Sequence, residues 1–338
     1  MPQLTLDEIA RLAGVSRTTA SRVLNDRPHV RPELRERVLR VIEETNYRPN
    51  LLARSLAFQE SRMIGLVVPQ SVHAFFSDPY FPRLTQGIAE ACNQYEYTLS
   101  LFLVQTFADE SKLLPKITSR GFLDGLIVQV GQREDSLIGA LAESGLPLVV
   151  AGRPSVTDKV SYIDVDNVHG AYTAVMHLLE LGRRRVATIT GGRHTAVGAD
   201  RLRGYEQALA AMGLSVDPAL IVEGDFTENS AYLGMQQLLP HHPDAVFAAS
   251  DVMAVGALRA IQHSGLQVPR DIAVVGYDDL PPALLASPTL TTIRQPIRRF
   301  GIRAVELLLE LIQKGTHPPR QVLMGTELVV RESCGFAA

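Results

Sequence analysis

Residues 4–25, LTLDEIARLAGVSRTTASRVLN, read as two short helices joined by a tight turn. Thr5 is placed to cap the first helix, and Glu8 stands three residues on, where a capping box needs its acceptor. Leu6, Ile9, Ala10 and Ala13 share one helical face. Gly14 interrupts the run, since a residue without Cβ suits a turn that needs positive φ. Ser16 is positioned to cap a second helix whose buried face is Ala20, Val23 and Leu24. That arrangement turns Arg17, Thr18, Ser21, Arg22 and Asn25 outward. An exposed helix with two arginines and several hydroxyls suits the major groove of DNA. There Arg grips guanine through two hydrogen bonds, and Ser or Thr bonds bases or phosphates. A solvated pair of surface helices is the plainer alternative, which the pattern alone does not dismiss.

The motif A-x-x-A-G-V-S followed by S-R-V-L-N is more specific than the pattern. On it, residues 5–25 resemble the N-terminal motif of the LacI/GalR family of bacterial transcription repressors. The resemblance implies DNA contacts from Thr5, Ser16, Arg17, Thr18, Thr19, Ser21, Arg22 and Asn25. Next comes a loop, NDRPHVRP, and Pro32 can open a third helix with an apolar stripe of Leu34, Val38, Val41 and Ile42, ending at Asn46. Arg31 stands where the family usually has a Ser or Thr cap. After Pro49, the run Asn50–Ala57 is one or two helical turns, too short to be stable alone and rich in leucine and alanine. In the resemblance this is the hinge helix, ordered on operator DNA. Asn50 and Ala53 would touch the duplex and Leu56 would wedge into its minor groove, where a few kcal/mol of unstacking is exchanged for a bent duplex and more contact. The competing reading packs Leu52 and Leu56 on the core.

At 338 residues the chain is too long for one ordinary core and fits two or three domains. The net charge of −3 does not announce a nucleic-acid binder. Residues 1–60 hold ten arginines, no lysine and eight acids, so binding would rest on where the guanidinium groups point rather than on their excess. One copy of so mildly basic a module should bind weakly, which predicts a homodimer on a near-palindromic site. No apolar run reaches the length of a membrane span, and residues 1–14 lack the basic-then-apolar pattern of a signal peptide. Cys92 and Cys334 lie far apart without C-x-x-C spacing and read as inert thiols. These features together predict a cytoplasmic protein.

From Met63 the character changes. Apolar runs (63–68, 98–104, 125–130, 147–151, 161–165, 185–190, 220–223, 245–249 and 272–276) alternate with helical stretches such as 81–95, 170–181, 201–212, 229–238 and 251–263. Such alternation predicts parallel sheets covered on both faces, arranged as two Rossmann-like halves with a ligand at the carboxyl ends of the strands. The resemblance extends here, through Asp166-Asn167, Arg201-Leu202-Arg203-Gly204-Tyr205, Ser250-Asp251 and Val274–Asp279. It implies an N-terminal all-α helix-turn-helix domain plus an α/β periplasmic-binding-protein-like core of two Rossmann-like subdomains. The expected division is 1–48 for the helix-turn-helix domain, 49–61 for hinge helix and linker, and 62–338 for the effector-binding core. Within the core, subdomain one takes about 62–161 and 293–321, and subdomain two about 162–292 and 322–338.

A sugar or nucleobase needs flat apolar faces and a few charged or amide groups. Tyr80 and Phe81 follow the first strand and either stack on ligand or staple the next helix. Phe226 can stack from the other half. Arg201 and Asp278 align with the family's ligand-bonding arginine and acceptor, Gln295 lies in a crossover segment, and Ser250 replaces the usual Asn. Arg153 is either a cleft residue or an ion-pair partner. The loop 70–78 is about five residues longer than is usual in the family, fit to reshape the pocket or cover it.

Other chemistry is thinly signalled. Thr190-Gly191-Gly192-Arg193 looks like a phosphate loop but lacks the spacing of either known glycine motif. Residues 164–169 fail as a calcium loop, and His241 and His242 have no metal partner nearby, so no metal or cofactor is expected. Neither G-x-S-x-G nor H-E-x-x-H occurs, and no enzyme is expected. The sequence therefore predicts a repressor of a carbohydrate-utilisation operon, its operator affinity changed by a small ligand, a sugar by preference, bound between the subdomains. The alternatives are a purine- or metabolite-responsive regulator that needs a corepressor, and a stand-alone sugar-binding protein.

Overall fold

In the computed structural model, residues 4–24, 28–47, 60–130 and 134–335 are described, apart from the side chains of 134–136. The chain divides into two units, 1–61 and 62–338. In the first, α1 (Leu6–Ala13), α2 (Arg17–Leu24) and α3 (Pro32–Thr45) enclose a small core of Ala10, Ala13, Ala20, Val23 and Val38. Small side chains at the first three positions let the helices approach closely. The Thr5–Glu8 capping box forms in both directions, with the Glu8 amide donating to Thr5 Oγ1 at 3.3 Å and the Thr5 amide donating to Glu8 Oε2 at 2.7 Å. Gly14 ends α1 at φ +61°, and a Cβ there would lie 2.3 Å from the Arg37 guanidinium. Arg31 gives α3 no side-chain cap, and Asn46 closes that helix in the left-handed region. The expected hinge residues Asn50, Ala53 and Leu56, and Asn25 at the end of the motif, lie outside the described residues.

The second unit is built on two sheets. The first contains β1 (Met63–Val68), β2 (Thr98–Leu103), β3 (Gly125–Gln129), β4 (Leu148–Ala151), β5 (Ser161–Val165) and a late strand, Gln321–Met324. Its order is 321–324, β5, β4, β3, β1, β2, and every pairing is parallel. Short helices α4 (Val72–Ser77), α6 (Phe107–Ile117) and α7 (Glu134–Glu143), with α5 (Tyr80–Gln94), fill the connections. The second sheet contains β6 (Val186–Thr190), β7 (Ile221–Glu223), β8 (Ala245–Ala248), β9 (Ala273–Asp278), β10 (Thr291–Arg294) and a closing strand, Glu327–Val329. Its pairings are parallel except that of β10 with the closing strand. Its helices are α8 (Asn167–Glu180), α9 (Ala196–Ala211), α10 (Glu228–Leu238), α11 (Asp251–His263) and α12 (Pro281–Leu285). The longest helix, α13 (Ile297–Lys314), returns to the first sheet, and the strands 321–324 and 327–329 become β11 and β12.

Alternation along the strands sends side chains to both faces. Ile64, Leu66 and Val68 of β1 pack with Phe300, Ala304 and Leu308 of α13, while Val67 joins Ile117, Leu137 and Leu141 on the opposite face. The second sheet is sandwiched likewise, by α8 and α9 on one side and α10 and α11 on the other. Helix pairs meet at glycine: a Cβ on Gly204 of α9 would lie 2.3 Å from the Val168 carbonyl of α8.

Three differences from the sequence reading stand out. The stretch taken as a long loop contains α4, whose N-cap Ser71 accepts from the Ala74 amide. Strands β10, β11 and β12 were not foreseen as strands. And the chain crosses between the sheets later than the 161/162, 292/293 and 321/322 boundaries. All of β5 pairs within the first sheet, all of β10 within the second, and β11 runs to Met324 beside Val165, so the crossings fall at 166, 295–296 and 325–326.

Candidate functional site

Two places concentrate candidate residues. On the first unit, Arg17, Thr18 and Arg22 are exposed along α2, whereas Thr19 and Ser21 are half-buried. The hydroxyls at the two caps are engaged: Thr5 holds α1, and Ser16 Oγ accepts from the Thr19 amide at 3.1 Å and lies 2.9 Å from Thr19 Oγ1. Arg17 Nε lies 3.4 Å from Asp7 of α1, with both side chains well exposed, so the pairing is weak and easily exchanged for another partner. The helix therefore presents a guanidinium at each end and a hydroxyl between, held by a core that Ala20 and Val23 anchor.

On the second unit, a cavity of about 570 Å³ opens between the two sheets, at the carboxyl ends of their strands. Its buried residues come from strand ends: Gln129 of β3, Asp164 of β5, Ser250 after β8, Asp278 of β9 and Gln295 after β10. Asn167 and Arg201 add side chains from the first turn of α8 and the second turn of α9. Arg201 organises the floor. Its Nε donates to Asn167 Oδ1 at 3.0 Å, its Nη1 donates to the Ala249 carbonyl and lies 3.6 Å from Asp278 Oδ1, and its guanidinium stacks 3.6 Å above the Tyr277 ring. Gln295 Nε2 donates to Asp278 Oδ1 at 2.5 Å. Asp278 is held at φ +117° and Phe226 at +66°, conformations that ordinary side chains rarely adopt and that surrounding contacts must maintain.

Burial dominates the acids of this floor. It pushes Asp164 up to about 6, against the pull of the Val165 amide, and drives Asp278 well above the ordinary carboxylate range although Arg201 draws it back. Burial also raises Asp78, whose Oδ1 accepts from the Tyr80 amide at 2.9 Å. Aromatic walls flank the acids. Tyr80 and Phe81 line one side, with Phe75 stacked on Phe81 at 5.8 Å, and Phe226 lines the other. Gly191 exists for that ring: a Cβ there would lie 2.0 Å from Phe226 Cζ. The first glycine of the stretch that resembled a phosphate loop therefore makes room for an aromatic platform.

The structure brings Tyr80, Phe81, Arg201, Phe226, Ser250, Asp278 and Gln295 to one cavity. Ser250 also caps α11, accepting from the Met253 amide at 3.2 Å. Arg153 does not line the cavity, because its Nη2 is committed to Asp200 Oδ2 at 2.5 Å; of its two readings, the ion pair is the one the structure shows. Sequence reasoning missed Asp78, Gln129, Asp164 and Asn167 as lining residues. The available signal was a polar side chain at or near the end of an otherwise apolar strand, as in GLIVQ and SYIDV. Both cysteines are buried, and burial pushes the Cys92 thiol up to about 11. Among the described residues no cluster of His, Cys, Asp and Glu could hold a metal, and no helix is long and apolar enough to cross a membrane.

Comparison with known proteins matches this architecture at both ends. The pattern defining "Bacterial regulatory proteins, lacI family" matches residues 5–50, and that of a periplasmic binding protein-like domain matches residues 175–334. The HTH-type transcriptional regulator CelR of Thermobifida fusca is 38% identical over 333 residues, 97% of this chain and 98% of that protein. A solved CelR–cellobiose complex superposes with a TM-score of 0.78 at 37% identity, covering 98% of this chain and 100% of the other. The lac repressor dimer bound to operator and the anti-inducer ONPF superposes with a TM-score of 0.86 at 29% identity, covering 98% and 99%.

Proposed function

This chain belongs to the LacI family of bacterial regulatory proteins, DNA-binding transcription regulators with a ligand-binding core, and from that premise we propose that it is a repressor released or engaged by a neutral sugar. Two copies would each lay α2 into the major groove of one operator half-site, with Arg17 and Thr18 reading bases and Arg22 gripping a guanine or a phosphate. Asn50, Ala53 and Leu56 would contact the duplex between the half-sites. Turnover is not part of this reading, as the matched relatives are regulators rather than enzymes.

The observation that carries the effector assignment is the charge of the cleft. Asp78, Asp164, Asp225, Glu228 and Asp278 line the cavity with one guanidinium among its described residues, Arg201, which lies 3.6 Å from Asp278; Glu228 is also paired with Arg259. An anionic sugar phosphate or nucleotide would meet repulsion there. A neutral polyol would donate hydroxyls to the carboxylates, accept from Arg201, and lay its apolar ring face on Phe226 or Tyr80. Binding would change how the two sheets close on one another and, through that, the population able to hold operator. Couplings of this kind are typically about 1–3 kcal/mol.

The test has two arms. An operator is first selected from random duplexes by enrichment on the purified protein. Its affinity is then measured with neutral sugars, including cellobiose, and with sugar phosphates and purine bases. A neutral sugar should shift operator affinity roughly 5- to 150-fold; a response confined to phosphates or purines overturns the assignment. Arg22→Ala should abolish operator binding and spare sugar binding, while Asp278→Ala should do the reverse.

A further inference from the structure

The cleft has two tiers, and they differ in origin. Its floor is buried and polar: Gln129, Asp164, Asn167, Arg201, Asp278 and Gln295 are each at least nine-tenths buried. Gln129 Oε1 is buried there without a hydrogen-bond partner among the described residues, an acceptor that a bound hydroxyl would satisfy. The mouth is polar and exposed. On one side it is lined by His73 and Ser77 of α4, and on the other by Asn229 in the first turn of α10. His73 Nε2 and Ser77 Oγ lie 3.4 Å apart, one turn from each other on the same face of α4. That helix is fixed in place by Phe75, which is buried in the core of the first sheet and stacks on Phe81.

We propose that α4 builds an outer subsite, so that the effector is a disaccharide: one ring on the buried floor, the second held at the mouth between His73 and Ser77 on one side and Asn229 on the other. The inference rests on the neutral-sugar reading above and adds to it the length of the glycan and the element that measures it. The volume agrees. About 570 Å³ lies within the range of roughly 300–1,000 Å³ that encloses drug-sized ligands and exceeds what a single hexose fills. The two tiers also divide the work. The floor offers desolvated groups that hold one ring, and the mouth offers polar groups in partial contact with water, with Asp225 and Glu228 beside Asn229, suited to discriminating what is attached to that ring.

Isothermal titration of the full-length protein with glucose, cellobiose, cellotriose, maltose and maltotriose tests this. In the series that binds, the disaccharide should be at least tenfold tighter than glucose, and the trisaccharide no tighter than the disaccharide. His73→Ala/Ser77→Ala should bring disaccharide affinity down to that of glucose while leaving glucose unchanged. Asn229→Ala, on the opposite side and outside α4, should cause a smaller loss of the same kind, which guards against a misfolded α4. Glucose binding as tightly as any disaccharide, or variants that weaken glucose and disaccharide equally, would overturn the outer subsite and leave the sugar reading standing. If no sugar binds while a purine base does, both fall together.

Discussion

Single side chains decide how the cleft responds to its surroundings. Asp164 is pushed up to about 6 by burial, so in the unliganded protein it stays protonated to a higher pH than an ordinary carboxyl. A carboxyl raised in this way stabilises the fold below its unfolded value, and that contribution is lost as pH rises through the folded one. A hydroxyl-donating effector works against that rise, because it stabilises the anion. Effector affinity should therefore rise between pH 5 and pH 7, with protons released on binding. Titration in two buffers of different ionisation enthalpy would detect the release, and a flat profile would remove Asp164 from the contact set. Burial raises Asp78 and Asp278 in the same direction. The second residue-scale prediction concerns Gly191. Alanine there meets Phe226 at 2.0 Å, and overpacking of this kind costs about 1–3 kcal/mol. Gly191→Ala should weaken effector binding roughly tenfold by displacing the platform, and leave operator binding without effector intact.

At the scale of elements, what could be read from the sequence depended on whether a pattern was local. The capping box at Thr5, the turn at Gly14 and the end of α3 at Asn46 rest on residues at most four positions apart, and each forms as read. Thr5→Ala should cost about 1 kcal/mol in α1, seen as roughly fivefold faster amide exchange there, with the amides of residues 62–335 unaffected. The long apolar strands were legible for the same reason. Strands β10, β11 and β12 were not, since TTIR, QVLM and ELV are three or four residues long and hold at most three apolar residues in a row; pairing with distant strands makes them strands. Helix α4 escaped notice because six residues are too few to show a period. The site was legible where the family resemblance pointed, at Arg201 and Asp278. Gln129 and Asp164 become cleft residues only because β3 and β5 end side by side with β4 between them, a fact of topology.

At the scale of the second unit, the two sheets are joined across the cleft by side chains as well as by chain. Arg153, after β4 of the first sheet, meets Asp200 on α9 of the second at 2.5 Å, with Asp200 nearly buried. This pair favours one degree of closure without touching the cavity. Arg153→Ala should leave the nearly buried Asp200 with only its longer contact to Arg203, at 3.8 Å, and bias the sheets toward a more open arrangement. Small-angle scattering of the unliganded protein should show a larger radius of gyration, and effector affinity should fall by several-fold. Unchanged scattering with unchanged affinity would reduce the pair to a local brace.

Residues 321–329 supply an edge strand to each sheet, β11 beside β5 and β12 beside β10. A polypeptide emerging from the ribosome therefore carries two bare strand edges until residue 329 has cleared the exit tunnel, and bare edges invite stray pairing with neighbours. The amino-terminal unit has every residue of its core by Ile42. During each round of synthesis the part that would grip DNA can take shape long before the part that governs it, and the interval between the two is when a nascent chain has most need of a chaperone.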